Sequence, residues 1–225
     1  MFVSYLNLLS MKLSESKVIK NLNRLATIVL AFYVVFLFQQ FFTSSSPASS
    51  KAVKSYEVYN VKLNYFTNKV DEDPLKSWFN DTVVIQKTDR ALVHLRFRTY
   101  DQLFSLPAIL FQFSIVVYWL IIGIIIFLIK VFFQSLTKDK VFTAKNASII
   151  IWGSLLLICL PIARWFSQEL FVSCINQLSL NDSKYALSNG EGIIASETII
   201  GLIILAFGLA FKVGVKIKEE NESFV

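Results

Sequence analysis

The sequence predicts an all-α membrane bundle of four transmembrane helices, with a small β-rich extracytoplasmic insertion between the first and second helices. Three observations predict this fold class. Hydrophobic residues make up 55% of the 225 positions and charged residues 17%, whereas soluble domains carry about 25% charged residues. Four segments are apolar enough, and near enough to the roughly 20 residues that a helix needs, to cross a bilayer core about 30 Å thick. The connection after the first of them alternates apolar and polar residues, which is typical of strands.

The first apolar segment, 25–42, has no charged residue and follows a basic leader, 1–24. A secretory signal is one interpretation, because the run SSSPASS follows, with Ser46 and Ala48 at suitable cleavage positions. The leader is long for a signal peptide and the apolar run is rich in bulky phenylalanine. We therefore favour an uncleaved membrane anchor.

The connection 43–101 contains two predicted strands, at 55–66 and 82–98, rich in β-branched and aromatic residues. The run KTDR, 87–90, is a candidate turn that would fold the second stretch into a hairpin. An isolated hairpin is marginally stable in water. At least one more strand, or the membrane surface, is therefore expected to cover it.

The other three predicted spans are 102–133, 146–163 with Pro161 near its end, and 192–217, which includes Glu197. Lysine and arginine are denser in the leader, in the connection after the second span and in the tail than in the short connection 164–191. The positive-inside rule then places both termini in the cytoplasm. The predicted organisation is a cytoplasmic leader 1–24, helix 25–42, an extracytoplasmic domain 43–101, helix 102–133, a cytoplasmic loop 134–145, helix 146–163, an extracytoplasmic loop 164–191, helix 192–217 and a cytoplasmic tail 218–225.

Motifs for catalysis, cofactors or metals are absent from the sequence. It has one histidine and two cysteines, and no GxSxG, P-loop, HExxH or CxxC pattern. We therefore expect no enzyme, no cofactor and no metal site, and no direct binding of nucleic acid despite the net charge of +6. The candidate intramembrane or interfacial polar residues are Arg164, Glu169 and Glu197, which suit a relay or ligand contact. We favour a structural role instead, for example an ion pair of Arg164 with Glu197.

The fourth span carries small residues at regular spacing. Ala206, Ala210 and Gly214 recur every four residues and form a candidate packing ridge, while Gly201 and Gly208 form a second line. Small residues let helix backbones approach closely. We expect the ridge to pack within the molecule first and to form a homo-oligomer second.

The C-terminal end turns from basic to acidic. Lys212, Lys216 and Lys218 suit the anionic headgroups at a helix C-terminus. The acidic residues beyond them are expected to project from the membrane as a docking element, although a solvated charge run is an equally supported interpretation. The candidate docking tail consists of Glu219, Glu220, Asn221, Glu222 and Phe224.

The runs SLTKDKVFTAKNASIII, 135–151, and GLIILAFGLAFKVGVKIKEENESFV, 201–225, resemble a family of small bacterial four-span integral membrane proteins known as a domain of unknown function. The resemblance implies a bacterial inner-membrane protein with a loop in which Phe142, Thr143 and Asn146 precede the third span. It also implies a neighbouring small helix-turn-helix regulator as a partner. The ending Glu222-Ser223-Phe224 departs from the family's Asp/Glu-Leu-Thr.

The function that these observations favour is a non-catalytic signalling, regulatory or structural role beside other proteins in the lipid bilayer. A small transporter or channel subunit is the alternative, with Glu197 and Arg164 near its path. A membrane enzyme comes third.

Overall fold

The computed structural model describes residues 16–42, 54–65, 90–97, 99–178 and 185–222. These ranges contain four helices that are long and apolar enough to cross a membrane. This confirms the four apolar helices of the predicted fold class and the membrane character of the chain. The helices are α1 (Lys17–Phe42), α2 (Leu106–Leu136), α3 (Ala144–Gln177) and α4 (Ser196–Glu222), and a single helical turn, Tyr100–Leu103, precedes α2.

Two of these helices exceed the thickness of a bilayer core. With 31 and 34 residues, α2 and α3 are about 46 Å and 51 Å long at 1.5 Å per residue. The predicted third span ends at 163, close to Pro161, whereas α3 continues to Gln177. Pro161 is fully buried inside α3. A proline removes one backbone hydrogen bond, and neighbouring packing lets a long apolar helix tolerate that loss.

A three-stranded antiparallel sheet has the order β2-β1-β3, with strands β1 (Lys54–Tyr65), β2 (Arg90–Phe97) and β3 (Tyr185–Asn189). Strands β1 and β2 coincide with parts of the two predicted strands. The register shifts between Val58 and Val61 of β1, as at a β-bulge. Of the predicted turn 87–90, only Arg90 is described, and it lies in β2 opposite Lys62.

The third strand changes the predicted organisation. The sequence predicts a plain loop over 164–191, whereas the structure places there the last turns of α3 and strand β3. Strand β3 pairs with the second half of β1, with Val61 opposite Asn189. The sheet therefore draws on two connections of the chain and is not confined to the insertion between the first two helices.

The chain divides into two compact units. Unit 1 comprises 1–43, 116–163 and 193–225, and unit 2 comprises 44–115 and 164–192. The hydrophobic core of unit 2 joins the sheet to the first turns of α2 and the last turns of α3. Its buried residues are Val61, Leu95, Phe97, Leu103, Ala108, Phe111, Phe171, Val172, Cys174 and Ile175.

In unit 1, α1 packs through one stripe. Its buried or half-buried positions recur every three or four residues, which is the spacing of one helix face. Tyr33 is buried in this stripe, and its hydroxyl donates a hydrogen bond to the Trp119 carbonyl. The opposite face is apolar and exposed, with Phe32 71% exposed, as suits contact with lipid. The stripe consists of Ile19, Asn23, Ala26, Leu30, Tyr33 and Leu37.

The connection between α2 and α3 is tightly capped at both ends. The N–H groups of Lys140 and Asp139 donate to the carbonyls of Ser135 and Leu136, each at 3.2 Å, and Asp139 has φ 57°. This pattern is a Schellman motif, which satisfies the last carbonyls of α2. At the start of α3, the Asn146 N–H donates to Thr143 Oγ1 at 3.2 Å, as at a helix N-cap.

Asn146 fixes the middle of the same connection. It is fully buried, and its Nδ2 donates to the carbonyls of Lys140 and Val141. Asn146 thus makes three hydrogen bonds to the connection, two from Nδ2 and one from its backbone N–H. The backbone of the connection 137–143 is therefore held in a defined conformation by hydrogen bonds.

Candidate functional site

Polar side chains meet in unit 2 where β3 ends against α3. Asn189, the last residue of β3, donates from Nδ2 to the Trp165 carbonyl at 2.9 Å and to Glu169 Oε2 at 3.2 Å. Its Oδ1 accepts from the Glu191 N–H at 2.9 Å, which forms an Asx-turn at Gly190. One amide side chain thus ties the turn after β3 to two successive turns of α3. We call this group the Asn189 junction: Arg164, Trp165, Glu169, Asn189 and Glu191.

An ion pair completes the junction. Arg164 Nε lies 3.4 Å from Glu191 Oε2, with side-chain exposures of 35% and 16%. Because the arginine is more than a third exposed, solvent screens the pair, and such pairs contribute little to stability. The pair joins α3 to Glu191, the residue whose N–H closes the Asx-turn.

A second set of contacts fastens β1 to α2. The Tyr56 hydroxyl donates to Gln112 Oε1 at 3.1 Å, and Gln112 Nε2 donates to the Leu103 carbonyl at 3.0 Å. The Tyr56 ring meets the Phe111 ring edge-on, with ring centroids 5.4 Å apart. The centroid of the Phe111 ring lies 5.3 Å from that of Phe171 in α3. The sheet is therefore attached to both helices by aromatic and hydrogen-bonded contacts.

A pair of serines, of which Ser114 is buried and Ser167 is half-buried, joins the two helices directly. Ser114 Oγ donates to the Phe111 carbonyl at 2.6 Å and lies 3.1 Å from Ser167 Oγ of α3. Ser114 is 6% exposed. Buried hydroxyls need such partners, and here they bring α2 and α3 into contact inside unit 2.

The structure brings two of the three candidate polar residues together. Arg164 and Glu169 both belong to the Asn189 junction, whereas Glu197 lies in unit 1, in the first turn of α4. Glu197 Oε2 accepts from Ser196 Oγ at 3.0 Å. A carboxylate is favoured at a helix N-terminus by the helix dipole. The sequence reasoning missed Asn189 and Glu191, although the Asn-Gly dipeptide at 189–190 is a turn signal.

Close packing in α4 uses the second line of small residues. A Cβ on Gly201 would lie 2.7 Å from Ile158 Cγ1, and a Cβ on Gly208 would lie 2.9 Å from Ile150 Cγ2. The predicted ridge of Ala206, Ala210 and Gly214 is not closely packed in this way. Ala206 and Ala210 are exposed, and a Cβ on Gly214 would meet nothing within 4 Å. The expected intramolecular contact therefore lies on the glycine line. Homo-oligomer formation through the ridge stays a prediction.

The candidate docking tail continues the helix. Helix α4 extends to Glu222, and Glu219, Glu220, Asn221 and Glu222 are exposed. The Nζ atom of Lys216 lies 3.7 Å from Glu220 Oε1, and that of Lys218 lies 3.5 Å from Glu222 Oε1. Phe224 lies outside the described residues. The described part of the tail is thus a solvent-facing helical end with internal ion pairs.

The contacts of the Asn189 junction fasten β3 and the following turn to α3. Within the described ranges, no three histidine, cysteine, aspartate or glutamate side chains converge as metal ligands would. The polar groups of the junction hydrogen-bond to one another and hold β3 against α3. Comparison with protein-family models, curated proteins and solved structures finds no match to this chain.

Proposed function

We propose that the protein is a non-catalytic signalling, regulatory or structural partner in the bacterial inner membrane, whose extracytoplasmic unit acts through α2 and α3. One observation carries the proposal: these two helices contribute residues to both compact units. In unit 2 they are held by the sheet, by the serine pair and by the Asn189 junction. A partner or ligand that displaces the sheet therefore acts on the same helices that pass into unit 1.

The pairing of β1 with β3 supports the proposed threading. Strand β1 follows the first long helix and β3 follows the third, yet Leu63 lies opposite Leu187 in one sheet. This pairing is what we expect if every long helix crosses the membrane, because both connections then lie on one side of it. The distribution of lysine and arginine assigns that side to the exterior and both termini to the cytoplasm.

The packing of α1 supports an uncleaved first span. A signal peptide is removed from the mature protein. In α1, however, Tyr33 is buried and its hydroxyl donates to the Trp119 carbonyl. The centroids of the Phe36 and Trp119 rings are 5.1 Å apart. Removing α1 would expose this side of α2. These contacts support the proposal that α1 is retained in the mature protein.

The partner at the cytoplasmic end follows from the resemblance and from the exposed tail. We assign the tail, 219–225, as the docking element for a small helix-turn-helix regulator, and the exposed ridge of Ala206 and Ala210 as the face for a second copy. Neither role requires catalysis or direct contact with nucleic acid.

The test is covalent cross-linking in native membranes followed by purification of the full-length protein. We expect one cytoplasmic protein to be recovered with the wild type and lost on deletion of 219–225. The matched control, Asn176→Ala on the exposed side of α3, should retain it. Solute or ion flux through reconstituted wild type, abolished by Glu197→Gln in a folded protein, would instead establish the transporter alternative.

A further inference from the structure

Several lysines lie in the connection between α2 and α3, in the first turn of α3 and in the last turns of α4. They fall into two groups: those that form an ion pair with a glutamate and those that do not. Lys216 Nζ lies 3.7 Å from Glu220 Oε1. Lys218 Nζ lies 3.5 Å from Glu222 Oε1. Within the described residues, the other lysines of these segments form no ion pair. These unpaired lysines are Lys138, Lys140, Lys145 and Lys212.

Two stacked aromatic rings bring together the two segments that carry the unpaired lysines, namely the segment around the start of α3 and the last turns of α4. Phe142, in the connection before α3, stacks on Phe211 of α4 with centroids 5.1 Å apart and an interplanar angle of 16°. Phe211 precedes Lys212, and Phe142 lies between Lys140 and Lys145 in the sequence. Phe142 is 52% exposed. The stack thus brings the connection that carries Lys140 next to the part of α4 that carries Lys212.

The connection that carries these lysines is fixed before any ligand arrives. The Schellman motif, the Thr143 cap and the buried Asn146 side chain hold the connection, as described above. Binding therefore needs little ordering of the backbone, which lowers its entropic cost. The first turn of α3 adds the positive end of a helix dipole beside Lys145.

We propose that Lys140, Lys145 and Lys212, which lie within three residues of Phe142 or Phe211 in the sequence, bind the phosphate of an anionic phospholipid headgroup. The charge is complementary: Lys138, Asp139 and Lys140 of the connection, Lys145 in the first turn of α3 and Lys212 of α4 sum to +3. The position also fits, because the site lies where α4 passes from apolar residues to lysine. Aromatic rings and lysines are the side chains typical of the membrane interface.

The acidic tail does not cancel this charge. Glu219, Glu220 and Glu222 follow Lys212 by seven to ten residues, which is about 10–15 Å along a helix. That distance is comparable to or longer than the screening length of about 8 Å at physiological ionic strength. Two of the three glutamates are also engaged by Lys216 and Lys218. Asp139 is the acidic residue nearest to the site in sequence, and it is included in the sum.

The experiment is isothermal titration of dioctanoyl phosphatidylglycerol into the full-length protein in an uncharged detergent. We expect saturable binding that dioctanoyl phosphatidylcholine does not reproduce, since its headgroup carries no net charge. Each lysine near an anionic surface should change affinity about five-fold. The variant K140Q/K145Q/K212Q should therefore bind roughly 100-fold more weakly.

The matched control is K216Q/K218Q, which removes two lysines at the same end that are already paired with glutamates. It should bind within about two-fold of the wild type. An equal loss in both variants, or equal binding of the zwitterionic lipid, would overturn the assignment. Inorganic phosphate forms a third arm, and competition by phosphate at concentrations similar to those of the lipid would reveal a soluble-anion site instead.

Folding of each variant is checked by circular dichroism and gel filtration. If the triple variant does not fold, Lys140→Gln, Lys145→Gln and Lys212→Gln are titrated singly, and each should weaken binding about five-fold. Single variants that all bind like the wild type would contradict the proposal. The inference rests on the membrane location of the helices and is independent of the signalling role.

Discussion

Among the glycines of α4, Gly201 is the one where an added Cβ would come nearest to α3, and adding one methyl group there tests the packing of unit 1. The Cβ of Gly201→Ala would lie 2.7 Å from Ile158 Cγ1. It would also lie 3.1 Å from Ile158 N and from Ser154 O. A side chain can rotate away, whereas two backbone atoms move only if the helices separate. The methyl group therefore acts against the helix-helix contact itself.

The magnitude follows from two opposing effects. Overpacking a well-packed site costs about 1–3 kcal/mol, and an alanine in a helix gains about 0.5–1 kcal/mol over glycine. We expect Gly201→Ala to lower the free energy of unfolding by about 1–2 kcal/mol. Gly208→Ala should cost less, because the nearest atoms are all side-chain atoms of Ile150 and Ile151. Gly214→Ala meets nothing within 4 Å and should be neutral or slightly stabilising.

The assay is reversible unfolding in mixed micelles with increasing sodium dodecyl sulfate, followed by circular dichroism. The expected order of stability is Gly201→Ala below Gly208→Ala below Gly214→Ala. Gly214→Ala serves as the matched control, since it makes the same chemical change on the same helix without a neighbour. A Gly214→Ala variant as unstable as Gly201→Ala would refute the reasoning and return the packing contact to the predicted ridge.

Three further predictions address the other contacts. Asn189→Ala removes the amide that donates to the Trp165 carbonyl and to Glu169. It should lower the free energy of unfolding by about 1–2 kcal/mol in the same assay. An unchanged free energy of unfolding would show that the junction has no structural role. Asn146→Ala should cost about 1–3 kcal/mol, with the exposed Ser148→Ala as control, and equal stability of the two would contradict the fixed connection. Alkaline phosphatase should be active when fused after Lys87 and inactive after Lys140, and activity at the second site would reverse the threading.

The elements that the sequence predicts well are those set by local composition. The four apolar segments need no partner to be recognised, because about 20 apolar residues suffice to identify a membrane helix. The strands at 54–65 and 90–97 also carry their own alternation and β-branched residues. In both cases the signal lies within the segment that forms the element.

The elements that sequence reasoning missed depend on a partner that is distant in the chain. Strand β3 is only five residues long, YALSN, and it exists as a strand because β1 supplies the hydrogen bonds. The extension of α3 past 163 likewise contains Arg164 and Glu169, which look like the end of a membrane helix when only hydropathy is considered. In the structure Glu169 accepts a hydrogen bond from Asn189 of β3, and Arg164 pairs with Glu191 just after that strand. Both residues therefore have partners in a segment that is distant in the sequence.

The same reasoning explains why the small residues of α4 divide as they do. Spacing alone cannot distinguish the four-residue ridge from the seven-residue glycine line, because both place small groups on one side of a helix. What separates them is the partner: Ser154 of α3 is buried and turns its hydroxyl to its own helix, donating to the Ile151 carbonyl at 2.7 Å. This leaves room for the Gly201 backbone to approach the Ser154 carbonyl. The glycine line of α4 thus packs against isoleucine side chains of α3 and against the Ser154 carbonyl, while Ala206 and Ala210 remain on the exposed side.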